Sequence, residues 1–193
     1  MNIRELAAST PTLKTERLVL SRMLPKDARA MYSYAKKEEV TRFLTWNPHK
    51  SKKYTHDYLV FIQQQYDAAE FFDWAIREPN GKMIGTCGFT KLDIETRHGE
   101  IGYVLSPKVW GRGYATEAAG CIMKFGFEIL GLERLCARFM YGNHGSERVM
   151  QKLGMTALGV VPEPIRIKGN YCTVFEYAIT KEEYEKEKAG SAE

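Results

Sequence analysis

Apolar residues recur along the chain at two spacings, and these spacings predict its secondary structure. Leu18 and Leu20 alternate with polar neighbours, which indicates a strand over Leu13–Arg22. Pro25 then opens a helical segment, since proline fits the first turn of a helix. A second helix with a Ser51 cap is predicted to reach about residue 69. Its apolar stripe consists of Tyr54, Tyr58, Leu59, Phe61, Ile62 and Tyr66.

The rest of the chain predicts strands that are separated by turns and two further helices. Asn80-Gly81 marks a tight turn between the strands Phe71–Arg77 and Met83–Leu92. Pro162-Glu163-Pro164 separates the last two strands. The remaining strands are predicted over 100–105, 134–141, 155–161 and 171–180, and the helices from Thr116 onward and over 146–153. The order β-α-α-β-β-β-α-β-α-β-β is typical of an α/β domain with a mixed sheet.

Length and composition are those of a single globular domain. The chain has 193 residues, of which 44% are hydrophobic and 27% charged, enough to bury a sizeable core. No linker or internal repeat divides it. We therefore predict one domain over residues 12–181, preceded by a lead-in at 1–11 and followed by a charged tail at 182–193, which we expect to fray.

Charge and hydropathy argue against several classes of protein. The net charge of +4 includes no dense basic block, which disfavours a nucleic-acid partner but suits a polyanionic ligand. The N-terminus lacks the apolar segment of a secretory signal, and no apolar run approaches the ~18 residues that span a bilayer. We therefore expect a cytoplasmic protein with no membrane contact.

Cysteine and histidine positions predict no metal site. No cysteine pair has zinc-ligand spacing, so the four cysteines are expected to be buried and reduced; they are Cys87, Cys121, Cys136 and Cys172. The four histidines have no partner at ligand spacing, and we expect them on the surface or in loops; they are His49, His56, His98 and His144.

A glycine-rich turn, Trp110–Ala115, joins the strand at 100–105 to the helix that opens at Thr116. Gly111 and Gly113 lack a Cβ atom, so a ligand can approach the backbone closely there. The first N–H groups of a helix have no partner within the helix, and the helix dipole is positive at that end. Arg112 adds a full charge. The turn therefore predicts an anion site of the kind that binds a diphosphate.

Three phosphate-binding motifs compete for this turn. A P-loop requires a Lys-Ser or Lys-Thr pair, which is absent, and a dinucleotide motif requires glycine where Thr116 stands. The third motif, [Q/R]-x-x-G-x-[G/A], matches at Gly113 and Ala115. It is the coenzyme A diphosphate loop of the GNAT family of N-acetyltransferases, which this turn resembles. Trp110 stands where that family usually has glutamine or arginine. An ordinary strand-to-helix turn is the alternative.

Two further stretches resemble the RimJ/RimL branch of that family, whose founding members acetylate the N-termini of ribosomal proteins. The opening strand, residues 15–20, reads TERLVL, and Asn143–Met155 matches the pattern N-x-x-S-x-[RK]-[VL]-x-x-K-x-G-[FM]. The order of elements also resembles the GNAT fold over nearly the whole chain. The resemblance implies acetyl transfer from acetyl-CoA, without a metal, to an amine such as a protein N-terminus or a small molecule.

The resemblance also implies which residues bind and react. Backbone groups of Val104 and Leu105 would bind pantetheine and polarise the thioester carbonyl. The cofactor-binding residues would further include Gly111, Arg112, Gly113, Tyr114, Ala115, Thr116, Asn143 and Arg148. The first two helices of the family wall the acceptor site, so Trp46, Tyr58, Phe72 and Trp74 are candidates to line it.

Ser146 and Glu100 are the candidate catalytic residues. Ser146 would donate a hydrogen bond to the leaving thiolate, or it caps the helix at 146–153. Glu100 would accept the proton of the amine directly or through water, or it pairs with Arg97 or Arg138. Asn143 would anchor the cofactor or the strand end, or it simply terminates the strand.

Two other functions remain open: an acyl-CoA-binding module without turnover, and a nucleic-acid-binding domain. The sequence leaves the acceptor undefined and is compatible with a monomer or a homodimer.

Overall fold

The computed structural model describes residues 5–6, 9–70 and 72–190. The strands are β1 (Leu13–Lys14), β2 (Val19–Ser21), β3 (Phe72–Arg77), β4 (Met83–Asp93), β5 (His98–Leu105), β6 (Arg134–Met140), β7 (Thr156–Val160), β8 (Ile165–Ile167), β9 (Asn170–Cys172) and β10 (Val174–Thr180). The α-helices are α1 (Ala28–Ala35), α2 (Glu38–Thr41), α3 (Lys52–Asp67), α4 (Tyr114–Lys124), α5 (His144–Lys152) and α6 (Lys181–Gly190). A π-helical segment, Phe125–Ile129, continues α4.

The chain divides into two units. The first comprises Met1–Gly88 and Tyr103–Cys121, and the second comprises Phe89–Gly102 and Ile122–Glu193. Strands β4 and β5 and helix α4 therefore contribute residues to both units.

In the first unit, the single strand predicted over Leu13–Arg22 is wrong: a bend at residues 16–17 divides it into β1 and β2, which pair with each other. Strand β2 also pairs with β3, and both pairings are antiparallel. The turn between β3 and β4 is the predicted Asn-Gly turn, in which Gly81 has φ 82°. Helices α1 and α3 pack over an apolar core that includes Met23, Met31, Tyr34, Leu59, Ile62 and Tyr66. The side chain of Ser51 accepts a hydrogen bond from the Tyr54 N–H at 3.0 Å, which confirms the predicted cap of α3.

In the second unit, β5 and β6 are parallel, whereas β10 pairs antiparallel with both β6 and β7. This combination confirms the predicted mixed sheet. Gly99 and Gly126 lie against the same three buried side chains, where an added Cβ atom would come within 3.4 Å of its neighbours. Those side chains are Phe89, Leu132 and Leu135.

At the C-terminal end, the structure differs from the elements that we predicted from the sequence. A short hairpin, β8 and β9, occupies part of the segment where we placed only a Pro-rich interruption, and β10 begins at Val174 instead of Tyr171. The tail that we expected to fray forms α6. The ring of Tyr184 in that helix stacks on Phe127 at 4.9 Å, and its hydroxyl donates to Glu128 at 3.0 Å.

Part of the predicted lead-in and the predicted first residue of β3, Phe71, fall outside the described residues. Within the part of the chain that the structure describes, no helix combines the length and the apolar character needed to cross a membrane.

Candidate functional site

The glycine-rich loop of the first unit has the backbone geometry of an anion site. Gly111 and Gly113 adopt φ angles of 74° and 79°, which only glycine reaches without strain. Helix α4 begins directly after them at Tyr114, and its first described backbone bond runs from Glu117 N–H to the Gly113 carbonyl at 3.0 Å. The N–H groups before Glu117 therefore have no acceptor inside the helix and can bind an anion.

A contact that the sequence analysis did not predict holds this loop. The Glu117 carboxylate accepts hydrogen bonds from Thr15 Oγ1 at 2.5 Å, from Arg17 N–H at 2.9 Å and from Arg17 Nε at 2.7 Å. The Arg17 guanidinium also donates to the Arg112 carbonyl at 3.1 Å and lies 4.9 Å from the centre of the Tyr114 ring. Thr15 and Arg17 stand in the TERLVL stretch that carried part of the family resemblance, but nothing in the sequence indicated that this stretch contacts the start of α4.

The strand end before the loop is held by Trp110. Its indole N–H donates a hydrogen bond to the Leu105 carbonyl at 2.9 Å. Gly85 of β4 lies against the Val104 carbonyl, with no room for a Cβ atom. The backbone of Val104 and Leu105 is therefore fixed from two sides.

Glu100, in the second unit, lies in a polar cluster. Its carboxylate accepts a hydrogen bond from Thr90 Oγ1 at 2.7 Å and lies 3.6 Å from Arg138 Nε and 3.9 Å from Lys91 Nζ. Of the two pairings that the sequence offered, the structure forms the one with Arg138, whereas Arg97 pairs with Glu133 at 2.9 Å.

Helix α5 begins two residues before Ser146, where we predicted its start. The helix begins at His144, and Asn143 caps it: the Asn143 Oδ1 accepts the Ser146 N–H at 3.3 Å. Ser146 therefore lies inside the first turn and is not the cap, since a residue three positions earlier supplies the capping oxygen. Arg148, further along the helix, is exposed.

The four candidates for the acceptor site fall into two groups. Trp74 is fully buried and its indole N–H donates to the Pro11 carbonyl at 2.8 Å, so it belongs to the core. Trp46, Tyr58 and Phe72 are partly buried.

The Trp46 and Tyr58 rings lie 5.2 Å and 5.7 Å from the ring of His49. His49 lies in the loop before α3, as expected, but its side chain is buried, and its Nδ1 lies 2.9 Å from Thr55 Oγ1. Burial lowers the pKa of His49, so it is neutral at pH 7. The other three histidines are exposed, as predicted.

Cysteines and metal ligands add no further chemistry. All four cysteines are free thiols; Cys87 is buried and the others are partly buried. Among the described residues, no three His, Cys, Asp or Glu side chains are grouped so that they could hold a metal ion.

Known proteins resemble this chain over most of its length. Residues 17–156 match the family model described as an acetyltransferase (GNAT) domain. A Bacillus licheniformis protein named uncharacterized N-acetyltransferase p20 is 31% identical over 175 residues, which are 90% of this chain and 98% of that protein.

Two solved structures have a similar fold. An acetyltransferase (GNAT family) from Bacillus anthracis has a TM-score of 0.79 at 26% identity, and the match covers 89% of this chain and 99% of that one. A structure of RimL, described as a ribosomal L7/L12 alpha-N-protein acetyltransferase in complex with coenzyme A, has a TM-score of 0.75 at 18% identity. That match covers 88% of this chain and 98% of RimL, and at this identity it concerns the fold alone.

Proposed function

The chain belongs to the GNAT family of acetyltransferases, and we propose that it transfers an acetyl group from acetyl-CoA to a primary amine. The observation that carries the proposal is the loop at 110–116, where two glycines of positive φ lead into an unpaired helix start. RimL, which shares the fold, was solved with coenzyme A.

The backbone geometry and the charge of the loop support a coenzyme A diphosphate as its ligand. A Cβ atom on Gly113 would lie 3.4 Å from the Arg17 guanidinium, so this cation lies close to the proposed diphosphate site. Arg112 is exposed and available to an anion. Gly111, Tyr114, Ala115 and Thr116 complete the proposed diphosphate site, and we assign Asn143 and Arg148 to cofactor binding by their match to the family motif.

Three chemical steps are needed, and side chains or backbone groups are proposed for each. Glu100 takes the proton of the amine, directly or through water, because an α-amine with a pKa near 8 is mostly protonated at neutral pH. Backbone groups of Val104 and Leu105 bind pantetheine, and an N–H of this region polarises the thioester carbonyl. Ser146 donates a hydrogen bond to the sulfur as the thiolate leaves, and the thiolate then takes up a proton.

The acceptor is proposed to be a protein N-terminus or a small amine. The name of RimL describes acetylation of a ribosomal protein, and the motifs at 15–20 and 143–155 resemble that branch. Trp46, Tyr58 and Phe72 are the proposed wall of the acceptor site. We further propose that the catalytic domain extends over residues 12–181 and acts in the cytoplasm.

A thiol-release assay tests the proposal. Acetyl-CoA is incubated with the full chain and a panel of N-terminal peptides, polyamines and other small amines, and free coenzyme A is measured. Release that depends on both enzyme and amine is expected. Tight acetyl-CoA binding without release for any amine would favour the alternative, an acyl-CoA-binding module without turnover.

Gly113→Val tests the loop itself. We expect acetyl-CoA affinity, measured by calorimetry, to fall more than about tenfold, because a side chain would occupy the space of the phosphate and oppose the positive φ. Gly169→Val is the matched control, since Gly169 has φ 85° in the turn between β8 and β9 with open space around it. Equal affinities of the two variants would exclude the loop as the diphosphate site.

A further inference from the structure

A groove on the surface of the first unit is lined mainly by basic side chains. One wall is formed by the 3-10 turn Pro25–Asp27 and the start of α1, and the other by the first turns of α3. The groove has a volume of about 520 Å³, and its charged or titratable lining residues are Lys26, Arg29, Lys52, Lys53 and His56. All five residues are exposed, so a ligand can reach each of them from solvent.

Three of these cations have no acidic partner within the part of the chain that the structure describes. No Asp or Glu side chain there forms an ion pair with Lys26, Arg29 or Lys52. Asp27 follows Lys26 in the sequence, but it is buried and pairs with Arg77 at 2.7 Å, so its charge is already balanced. The charges of the three cations are therefore compensated only by water and dissolved ions.

Asp57 offsets the charge of the groove in part. Its Oδ2 lies 2.6 Å from Lys53 Nζ, and its Oδ1 lies 3.6 Å from His56 Nδ1. All three side chains are more than half exposed, so solvent weakens these pairs. With four permanent cations and this one carboxylate, the groove keeps an excess of three positive charges even when His56 is neutral.

The fold brings these cations together although the sequence keeps them apart. Lys26 and Arg29 lie more than 20 positions before Lys52. The two walls meet because Ala28 of α1 and Leu59 of α3 belong to the same apolar core. Apolar packing therefore holds like charges near one another, and an anion in the groove would relieve their repulsion.

The chemistry of the lining residues favours phosphate groups. The lysine ammonium groups are point charges on flexible stems, and Arg29 adds a planar fork of donors that matches a phosphate. Among the described residues, no Phe, Tyr or Trp side chain lines the groove, so a nucleobase has no ring to stack on. A chain of phosphates places several charges within this volume, whereas an acidic peptide spreads its carboxylates over several residues.

We propose that this groove binds a chain of phosphates through its charge, either a free oligophosphate or the backbone of a nucleic-acid strand. The groove shares no residue with the glycine-rich loop at 110–116, so it is separate from the proposed diphosphate site. The inference does not rest on the proposed acetyl transfer.

Direct binding is measured by calorimetry on the full chain saturated with coenzyme A. Tripolyphosphate is expected to bind at least about tenfold more tightly than orthophosphate, because it engages several cations at once. An oligouridine RNA distinguishes the two sources. Tighter binding of the RNA than of tripolyphosphate, with a log–log salt slope of about −0.7 per phosphate contacted, identifies a nucleic-acid backbone, and weaker binding identifies a free oligophosphate. Binding of neither probe, or tighter binding of hexaglutamate than of both, would overturn the proposal.

Two double variants locate the site. Arg29→Gln with Lys52→Gln removes one charge from each wall, and we expect the affinity for the tighter phosphate probe to fall more than about tenfold. Lys14→Gln with Arg166→Gln is the matched control, since it removes the same charge from exposed positions outside the groove. An equal loss in both variants would show attraction to the whole protein and would overturn the site.

Coenzyme A affinity and the melting temperature complete the test. Both double variants should keep the wild-type values, because neither touches the glycine-rich loop or the apolar core. A loss of coenzyme A affinity in the groove variant alone would make the groove part of the coenzyme A site and would overturn the proposal. Absence of thiol release by the wild-type protein would contradict the proposed function instead, and the phosphate measurements would still decide the groove.

Discussion

The ion pair between Arg17, just before β2, and Glu117, in the first turn of α4, is expected to stabilise the folded protein by a measurable coupling energy. The perturbations are Arg17→Met, which keeps the apolar stem and removes the charge, and Glu117→Gln, which keeps the shape. Together with the double variant they form a thermodynamic cycle, and the free energy of unfolding of each protein is measured in urea at pH 7.

The expected size of the coupling energy follows from how deeply the Arg17 and Glu117 side chains are buried. The Glu117 side chain is 15% exposed and that of Arg17 is 46% exposed, with Nη2 at 2.6 Å from Oε2. Exposed ion pairs contribute about 0–1 kcal/mol, and breaking a buried pair costs about 3–5 kcal/mol. We expect a coupling of about 1–2 kcal/mol, between the two limits because only one partner is largely buried.

The exposed pair between Lys53 and Asp57 is the control. Its Nζ and Oδ2 atoms are also 2.6 Å apart, but the two side chains are 84% and 55% exposed. The same cycle there should give a clearly smaller coupling, because solvent screens the charges. Equal coupling energies for the two pairs would show that the burial of Glu117 adds nothing to the strength of its ion pair.

The environment of Glu117 determines how the coupling energy depends on pH, and it predicts that the coupling is lost in acid. Burial raises the pKa of Glu117, but hydrogen bonds from Thr15 and Arg17 outweigh burial and bring the pKa below its ordinary value. The stabilisation is therefore complete above the unfolded pKa of about 4.5 and is lost as the pH falls through the lower, folded pKa. A coupling below about 0.3 kcal/mol at pH 7, or one that persists unchanged in acid, would refute the reasoning.

Three further predictions concern reaction and stability. Glu100→Gln should lower turnover at pH 7, and the loss should shrink at pH 9.5, where the amine is already neutral; an equal loss at both values would make Glu100 structural. Ser146→Ala should lower kcat and kcat/KM together by about 10- to 100-fold, whereas Asn143→Ala should cost about 1 kcal/mol of stability as the cap is lost. Burial in the first unit raises the pKa of Asp73 from 3.8 to about 7, so the wild type loses stability as the pH rises through this range. Asp73→Asn, which has no charge to bury, should therefore gain stability relative to the wild type from pH 4 to pH 7 in urea unfolding experiments, and an unchanged difference between the two proteins over that range would contradict the raised pKa.

Local signals predicted the elements that carry the candidate site. The alternating burial of Leu18 and Leu20 and the Asn80-Gly81 turn each depend on neighbours within a few residues, and both are confirmed. Gly111 and Gly113 likewise adopt the positive φ that their turn required. These features were readable because the physical cause and the sequence pattern lie in the same short segment.

The sequence did not indicate features that depend on contacts between residues far apart along the chain. Helix α6 has no apolar stripe of its own, and its Tyr184 and Lys188 bind Glu128, which lies more than 50 positions earlier. The pairing of Glu117 with Arg17 spans 100 positions. Such contacts arise from tertiary packing, which overrides the local pattern.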